Sequence, residues 1–194
     1  IKAKPALLRF YGEAANFKAA QSVTTKSAEE GTAVHEAAEA ILLGQSPEVD
    51  LSIKPAIDAF MKFLEERNIQ TSPEYIERRI VHPDHRYAGT IDAMALIDGK
   101  FGILDIKTSQ SIYRDYNIQT AAYMDALIRD PLLAGLNTRW ILRIDQQKKC
   151  LRCAATLRPK GGREKIKEPS WGACLERQHE WTELKGIIEL KEFP

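Results

Sequence analysis

Residues 87–123 read YAGTIDAMALIDGKFGILDIKTSQSIYRDYNIQTAAY, and this stretch decides the fold. Its first part, from Tyr87 to Asp98, is a β-rich pattern in which both alternating faces are largely apolar. The dipeptide Asp98-Gly99 is typical of a two-residue hairpin turn, and residues 101–108 supply the returning strand. We therefore expect two antiparallel strands followed by a helix.

Three charged side chains interrupt these apolar strands: Asp92, Asp105 and Lys107. Burying charges is costly unless they are paired, and two carboxylates about 4 Å apart repel by roughly 4 kcal/mol at an effective dielectric constant near 20. A divalent cation would hold both acids ionised, and oxygen ligands suit Mg²⁺ or Mn²⁺ better than zinc. The pattern favours a metal site, and the alternative is a buried ion pair in an unrelated mixed domain.

The order of motifs is Gly89-Thr90-Ile91-Asp92, then Asp105-Ile106-Lys107-Thr108-Ser109, then Gln119 and Tyr123. This order resembles the RecB-like exonuclease branch of the PD-(D/E)XK nuclease superfamily. The resemblance implies that Asp92, Asp105 and the carbonyl of Ile106 hold the metal. It also implies that Lys107 positions or activates a water molecule. The expected fold is then a restriction-endonuclease-like core.

The resemblance gives roles to four further residues outside the two strands. Gln119 and Tyr123 would face the active site and support the lysine or touch the substrate; the alternative is a partly buried tyrosine with a surface glutamine. His35, in GTAVHEAAE, is similar to the histidine of a G-x-x-x-H segment that reaches the metal. Glu77 matches a glutamate on the preceding strand, although an exposed glutamate paired with an arginine fits equally well. The literal Pro83-Asp84 lies in a polar turn and is left out of the site.

Periodicity places the other elements around this centre. Helices are predicted over residues 27–43, with Ser27 as cap, and over 54–67, 117–129 and a closing segment that contains Trp171, Leu175, Trp181 and Leu184. Further strands are predicted over residues 73–81, 138–146 and 149–157, which completes a mixed sheet of about five strands. The result is one mixed α/β (α+β) domain, with residues 1–70 as a helical part and residues 71–194 as the catalytic core.

Composition bounds the class of protein. The chain has 194 residues, 44% of them hydrophobic and 28% charged, which is typical of a soluble globular protein. No apolar run is long enough for a membrane span, so no membrane partner is expected. The net charge of +1 argues neither for nor against nucleic acid, because a nuclease needs only a local basic channel.

Two segments are candidates for nucleic-acid contacts. Arg114 and Tyr116, with Tyr113 nearby, offer stacking and phosphate contacts that suit single-stranded substrates. Lys160 and Arg163 flank two glycines in what is predicted to be a flexible basic loop. That loop either grips a nucleic-acid backbone or is simply solvated.

The cysteines are Cys150, Cys153 and Cys174, an odd number that indicates a reducing compartment, the cytoplasm. An organelle or a phage-infected cell stays open, because the chain begins with Ile1. Some RecB-type nucleases carry an iron–sulfur cluster with one cysteine before the core, and none stands there, so no such cluster is expected. A zinc site with His179 is open formally, but on a strand Cys150 and Cys153 would point to opposite faces.

The sequence thus predicts an Mg²⁺- or Mn²⁺-dependent enzyme that hydrolyses phosphodiester bonds in DNA. An exonuclease acting in recombination, repair or phage and genome DNA processing is favoured, because the proteins it resembles process DNA ends. Its expected partners are DNA that is single-stranded or has free ends, and a helicase or recombination protein. The alternatives are a catalytically silent nucleic-acid-binding or helicase-associated scaffold domain, and a restriction-type endonuclease.

Overall fold

A computed structural model describes residues 10–169 and 180–194 of the chain. They form a mixed α/β fold, as the sequence predicts. The chain divides into a larger unit, Val34–Gln146 with Leu184–Pro194, and a smaller unit, Ile1–Ala33 with Gln147–Glu183. This division does not follow the expected boundary at residue 70, because the helices beyond Val34 belong with the strands. Across the described ranges, no helix is both long and apolar enough to cross a membrane.

The helices are α1 (Phe17–Leu42), α2 (Lys54–Glu66) and α3 (Arg114–Leu127), and short 3₁₀ turns occupy Pro73–Tyr75 and Pro131–Leu133. The prediction that Ser27 caps α1 is wrong. The helix begins at Phe17, where the side-chain Oδ1 of Asn16 accepts the N–H of Ala19 at 2.8 Å. An asparagine in this position satisfies an N–H that has no partner within the helix.

The strands are β1 (Ile76–His82), β2 (Tyr87–Ile97), β3 (Lys100–Lys107), β4 (Leu136–Lys149), β5 (Thr156–Lys160), β6 (Arg163–Lys167) and β7 (Lys185–Phe193). In the larger unit β1 to β4 pair in sequence order, antiparallel except for the parallel pair β3–β4, and β7 also pairs with β4. Thr138 contacts Phe193 whereas Arg143 contacts Glu189, so β7 runs antiparallel to β4. The larger unit therefore holds five strands.

The hairpin between β2 and β3 confirms the prediction made from its turn residues. Asp98 and Gly99 have φ angles of 51° and 79°, the left-handed values that a type I′ turn requires at both positions. The turn returns the chain as β3, which lies between β2 and β4 and is buried on both faces. This central position is why Asp105 of β3 is buried in the larger unit.

Helix α3 packs on the sheet through one face. Its buried residues are Thr120, Tyr123 and Leu127, whereas Ile118 is 59% exposed. Tyr123 packs into a core cluster with residues of β1, β2 and β3. A Cβ atom on Gly89 would lie 2.7 Å from Cε1 of Tyr123, so the glycine of the GTID motif makes room for this ring.

In the smaller unit, the predicted flexible basic loop is wrong: the segment forms the hairpin β5–β6. Gly161 and Gly162, with φ angles of 63° and 70°, make its two-residue turn. The N–H of Gly161 donates to Oε1 of Glu30 at 3.0 Å, and a Cβ there would lie 2.0 Å from Oγ of Ser27. The turn is thus fixed against α1 at a position where only glycine fits.

Two predictions near the end of the chain also need correction. The predicted strand 149–157 is wrong, because β4 ends at Lys149 and the chain bends before β5 begins. For the predicted closing helix, Trp171 and Leu175 lie outside the described residues. Trp181 instead forms a β-bridge with Cys150, and strand β7 follows Leu184 where the helix was expected to end.

Candidate metal centre

The centre lies where the ladder between β2 and β3 ends. The last backbone pair joins Ala93 to Leu104. Beyond it, the side chain of Asp92 takes over, and its Oδ2 accepts the N–H of Ile106 at 2.6 Å. Because the N–H and C=O of one strand residue point to the same side, the carbonyl of Ile106 also faces Asp92.

Asp105 and Lys107 stand two residues apart on β3 and therefore share a face. The Lys107 Nζ lies 2.9 Å from Oδ1 and 2.8 Å from Oδ2 of Asp105. Burial raises the pKa of Asp105 to about 6 although Lys107 pulls it down. Apart from this ion pair, Oδ2 is buried and accepts no hydrogen bond from the described residues. Asp105 therefore presents a buried carboxylate whose Oδ2 is contacted by Lys107 among the described residues, and a carboxylate of this kind suits a hard cation.

Helix α1 brings a histidine to the same place. Nδ1 of His35 lies 3.7 Å from Oδ1 of Asp92, and the positive charge of a protonated His35 would also act on Asp105. The imidazole is a common metal ligand in its neutral form. The structure thus gathers His35, Asp92 and Asp105 from a helix and two strands.

Two further acids face the centre. Glu77 has a left-handed backbone (φ 49°) between Ile76 and Arg78, whose partners Ala93 and Ile91 are the neighbours of Asp92. Its side chain reaches solvent, yet partial burial and then the negative charges of Asp92 and Glu39 raise its pKa.

Glu39 was not among the site residues expected from the sequence, yet it is half-buried and lies close enough to influence Glu77. The available signal was its spacing of i+4 from His35, which puts both on one face of α1.

Non-glycine residues with positive φ store strain of order 1–3 kcal/mol and cluster at functional sites. The backbone at Glu77 is therefore a second, independent mark of this centre.

The carboxyl groups of the centre have raised pKa values, so additional positive charge would stabilise their ionised forms. Burial raises the pKa of Asp92, opposed by the Ile106 N–H and by Lys107. The pKa values of Asp105 and Glu77 are raised as well, so three carboxyl groups resist ionisation beside one lysine. The residues fit a hard divalent cation, which would be held by Asp92, Asp105, the Ile106 carbonyl and His35.

The predicted nucleic-acid residues at the start of α3 lie near the lysine. The Nζ of Lys107 stands 5.1 Å from the ring centroid of Tyr116, within range of a cation–π interaction. Tyr113 meets Tyr116 edge to face at 5.6 Å, and Arg114 is exposed between them in the sequence. This aromatic pair borders the metal centre.

Gln119 and Tyr123 contact each other, and Tyr123 contacts the start of β2. The Nε2 of Gln119 donates to the Tyr123 hydroxyl at 2.7 Å, and the tyrosine ring packs on Gly89. Tyr123 is only 8% exposed, so it is a buried tyrosine, and Gln119 is half-buried rather than a surface residue. Their contacts fix the position of β2 three residues before Asp92.

The smaller unit carries a separate basic groove of about 250 Å³ on the β5–β6 hairpin. Its lining residues are Phe10, Glu13, Val23, Ser27, Arg158, Lys160, Arg163 and Lys165. The strand register sets Arg158 opposite Lys165 and Lys160 opposite Arg163. Like charges directly opposite each other destabilise a sheet, so an anion in the groove would relieve the repulsion. The predicted DNA contacts Lys160 and Arg163 both lie here.

A second group with metal-ligand chemistry was missed by sequence reasoning. His82, His85 and Asp125 hold ligand atoms within 4.8 Å of one another. Nδ1 of His82 accepts the His85 N–H at 3.2 Å, which places the imidazole proton on Nε2, 3.2 Å from Oδ2 of Asp125. Nε2 of His82 is buried without a hydrogen bond among the described residues, so its contact with Asp125 is electrostatic.

Comparisons with known proteins add no relative. A scan of the sequence against protein-family models finds no match, and a search of curated proteins finds no significant similarity. Function is therefore inferred from the residues of the metal centre and from the motifs that it contains.

Proposed function

We propose that this protein is a divalent-metal-dependent deoxyribonuclease of the RecB-like PD-(D/E)XK type, and that it acts as an exonuclease on DNA ends. One observation carries the proposal: Asp92, Asp105 and Lys107 converge where β2 and β3 part, with Asp105 buried, Asp92 half-buried and Lys107 paired with Asp105. Structural ion pairs do not require a histidine and a strained glutamate at the same place. His35 and Glu77 supply both.

Each side chain of the centre has a task in phosphodiester hydrolysis. Asp92, Asp105, the Ile106 carbonyl and His35 would hold Mg²⁺ or Mn²⁺, and the Ile106 N–H fixes the orientation of the Asp92 carboxylate. When bound, such a cation polarises the scissile phosphate and acidifies a water molecule.

Lys107 acts on the reacting atoms directly. Its side chain is 17% exposed, so it is shielded yet accessible, and Asp105 and the Tyr116 ring hold its Nζ in place. An ammonium group in this position orients the attacking water and stabilises negative charge that develops on the phosphate in the transition state. Lys107 is therefore the proposed catalytic cation.

The substrate is assigned from charge and aromatic residues. Tyr113 and Tyr116 offer ring faces beside Lys107, and the basic groove of the smaller unit offers four cations to a phosphate backbone. Basic grooves with aromatic rings are typical of proteins that bind single strands. We propose single-stranded DNA, or DNA with free ends, as substrate, handled in recombination, repair or phage DNA processing with a helicase or recombination protein as partner.

Digestion of end-labelled DNA tests the function. Wild-type protein should degrade linear single- or double-stranded DNA in Mg²⁺ or Mn²⁺ but not in EDTA, and should leave closed circular DNA intact. Asp105→Asn and Lys107→Ala should lose this activity, whereas Lys100→Ala, on the same strand but paired with the remote Glu192, should keep it. DNA binding without cleavage in Mn²⁺ would identify a silent scaffold domain, and cutting of circles would identify an endonuclease.

A further inference from the structure

The segment Cys150-Leu151-Arg152-Cys153 forms a tight bend in the smaller unit. The N–H of Cys150 donates to the carbonyl of Ala155 at 2.9 Å, which closes the bend. Cys150 is buried, and Cys153 packs against it in one small cluster with Ala155, Ile166 and Trp181. Because the segment is not a strand, the expectation that the two sulfurs point to opposite faces does not hold.

Both sulfurs accept a hydrogen bond from the backbone in the same way. Sγ of Cys150 accepts the N–H of Arg152 at 3.4 Å, and Sγ of Cys153 accepts the N–H of Ala155 at 3.5 Å. In each case the donor stands two residues after the cysteine. The bend thus holds both sulfurs of one C-x-x-C segment in the same pattern of backbone hydrogen bonds.

The described part of the smaller unit buries few apolar side chains. Among its described residues, the buried apolar side chains are Ala20, Cys150, Ala155 and Leu157. Small units with so little apolar core usually depend on a disulfide, a metal or a larger partner for their stability. A structural metal supplies folding free energy directly, because the unfolded chain has no preformed site.

We infer that Cys150 and Cys153 bind a structural zinc ion in the smaller unit, distinct from the Mg²⁺ or Mn²⁺ centre of the larger unit. Thiolate ligands select zinc over hard cations such as Mg²⁺. The C-x-x-C spacing is typical of half of a four-ligand zinc site.

The sequence continues with a cysteine and a histidine, Cys174 and His179, at C-x₄-H spacing. Both lie outside the described residues, and the inference rests on Cys150 and Cys153. The chain re-enters the described part beside the bend: the carbonyl of Glu180 accepts the N–H of Leu151 at 3.0 Å.

Metal analysis of the intact chain tests the inference. Protein purified under reducing conditions should carry one zinc ion, and a mercurial reagent that blocks thiolates should release it from the wild-type protein without any substitution. Protein reconstituted with Co²⁺ should show the thiolate-to-cobalt charge-transfer band and the intense visible bands of a tetrahedral site. Cys150→Ser and Cys153→Ser should each lose the bound zinc and the cobalt bands.

Two controls separate this site from the other metal-binding chemistry of the chain. His85→Ala, which disrupts the His82, His85 and Asp125 group, should keep the zinc and the cobalt bands. Asp105→Asn should also keep them while losing nuclease activity, so that failure of the zinc site and failure of the nuclease proposal are seen separately. Wild-type protein without zinc, zinc that a mercurial does not release, or Cys→Ser variants that bind zinc as tightly as wild type would overturn the inference.

Discussion

The carboxylate of Asp92 accepts the backbone N–H of Ile106 at 2.6 Å, one step beyond the last backbone pair of β2 and β3. The Asp92 side chain thus has two roles: Oδ2 completes the strand pairing, and Oδ1 faces the candidate metal centre. Substitutions can separate the two roles, since an amide keeps the acceptor but not the charge.

Asp92→Asn should retain the stability of the wild-type protein but lose metal-dependent cleavage. Asp92→Ala should also lose about 1–3 kcal/mol in the free energy of unfolding, because the buried Ile106 N–H then has no acceptor. Urea unfolding in EDTA and cleavage of labelled DNA in Mn²⁺ measure the two effects. Equal stability of the Ala and Asn variants would show that the hydrogen bond contributes nothing.

The stability of the metal-free protein should fall as the pH rises from about 4 to about 6. Burial raises the pKa of Asp105 from 3.8 to about 6, so the folded state binds a proton in this window that the unfolded state has released. The full pKa shift corresponds to about 3 kcal/mol in the free energy of unfolding, and this contribution is lost once Asp105 is ionised in the folded protein. Asp105→Asn should flatten this part of the profile, as measured by urea unfolding in EDTA at a series of pH values. A wild-type profile that rises through the window, or one that the Asn variant reproduces, would contradict the assignment.

Gly89→Ala should destabilise the larger unit by about 1–3 kcal/mol, because the new Cβ would lie 2.7 Å from Cε1 of Tyr123. Gly135→Ala is the matched control: nothing lies within 4 Å of its Cβ position, so a change below about 0.5 kcal/mol is expected. In a Tyr123→Ala background the cost of Gly89→Ala should largely vanish. If Gly89→Ala still lowers the stability by the same amount in the Tyr123→Ala background, the clash is not with the tyrosine ring.

Glu77→Gln should weaken Mn²⁺ binding about tenfold, since it removes a negative charge that acts on Asp92. Glu74→Gln, an exposed glutamate of the neighbouring 3₁₀ turn, is the control and should bind Mn²⁺ as wild type does. Glu77→Gly should lose affinity in the same way yet gain about 1 kcal/mol of stability, because glycine tolerates the left-handed backbone. Calorimetric titration without DNA measures the affinity, and a stability loss in the Gly variant would show that the backbone is not strained.

Reversing charge at the basic groove should weaken binding of single-stranded DNA. The double variant Arg163→Glu with Lys165→Glu replaces two exposed cations of the hairpin, so we expect at least tenfold weaker binding and a shallower dependence on salt. Lys18→Glu, an exposed lysine of the same unit away from the groove, should change affinity much less. Fluorescence anisotropy in EDTA measures binding without cleavage, and an unchanged salt dependence would remove the groove from DNA binding.

The elements that sequence predicted correctly are those whose signals are local. Asp98-Gly99 dictates its own turn, and the apolar runs on either side of it dictate β2 and β3. The acids and the lysine on those strands were visible as charges where only apolar residues are expected. Nothing beyond the motif order was needed to place Asp105 beside Lys107.

The remainder depended on contacts between residues distant in the sequence. Helix α1 begins at Phe17 and not at the predicted Ser27, because Asn16 supplies the cap. Gly161-Gly162 forms a hairpin turn and not the predicted flexible loop, because the turn packs on that helix. Glu39 lies four residues after His35 on α1, and its charge acts on Glu77, which is distant in the sequence. The bend that begins at Cys150 follows the end of β4, whereas the sequence pattern predicted a strand over residues 149–157.

Strand β4 passes without interruption from the larger unit into the smaller one at Gln146, and the chain returns at Leu184 to form β7, the hydrogen-bonded neighbour of β4. The residues that flank segment 147–183 therefore lie on adjacent strands that run in opposite directions. A short turn between them would close the sheet with little loss of entropy. The segment 147–183 thus has the topology of an insertion, which evolution could add, exchange or delete while the larger unit keeps its connectivity.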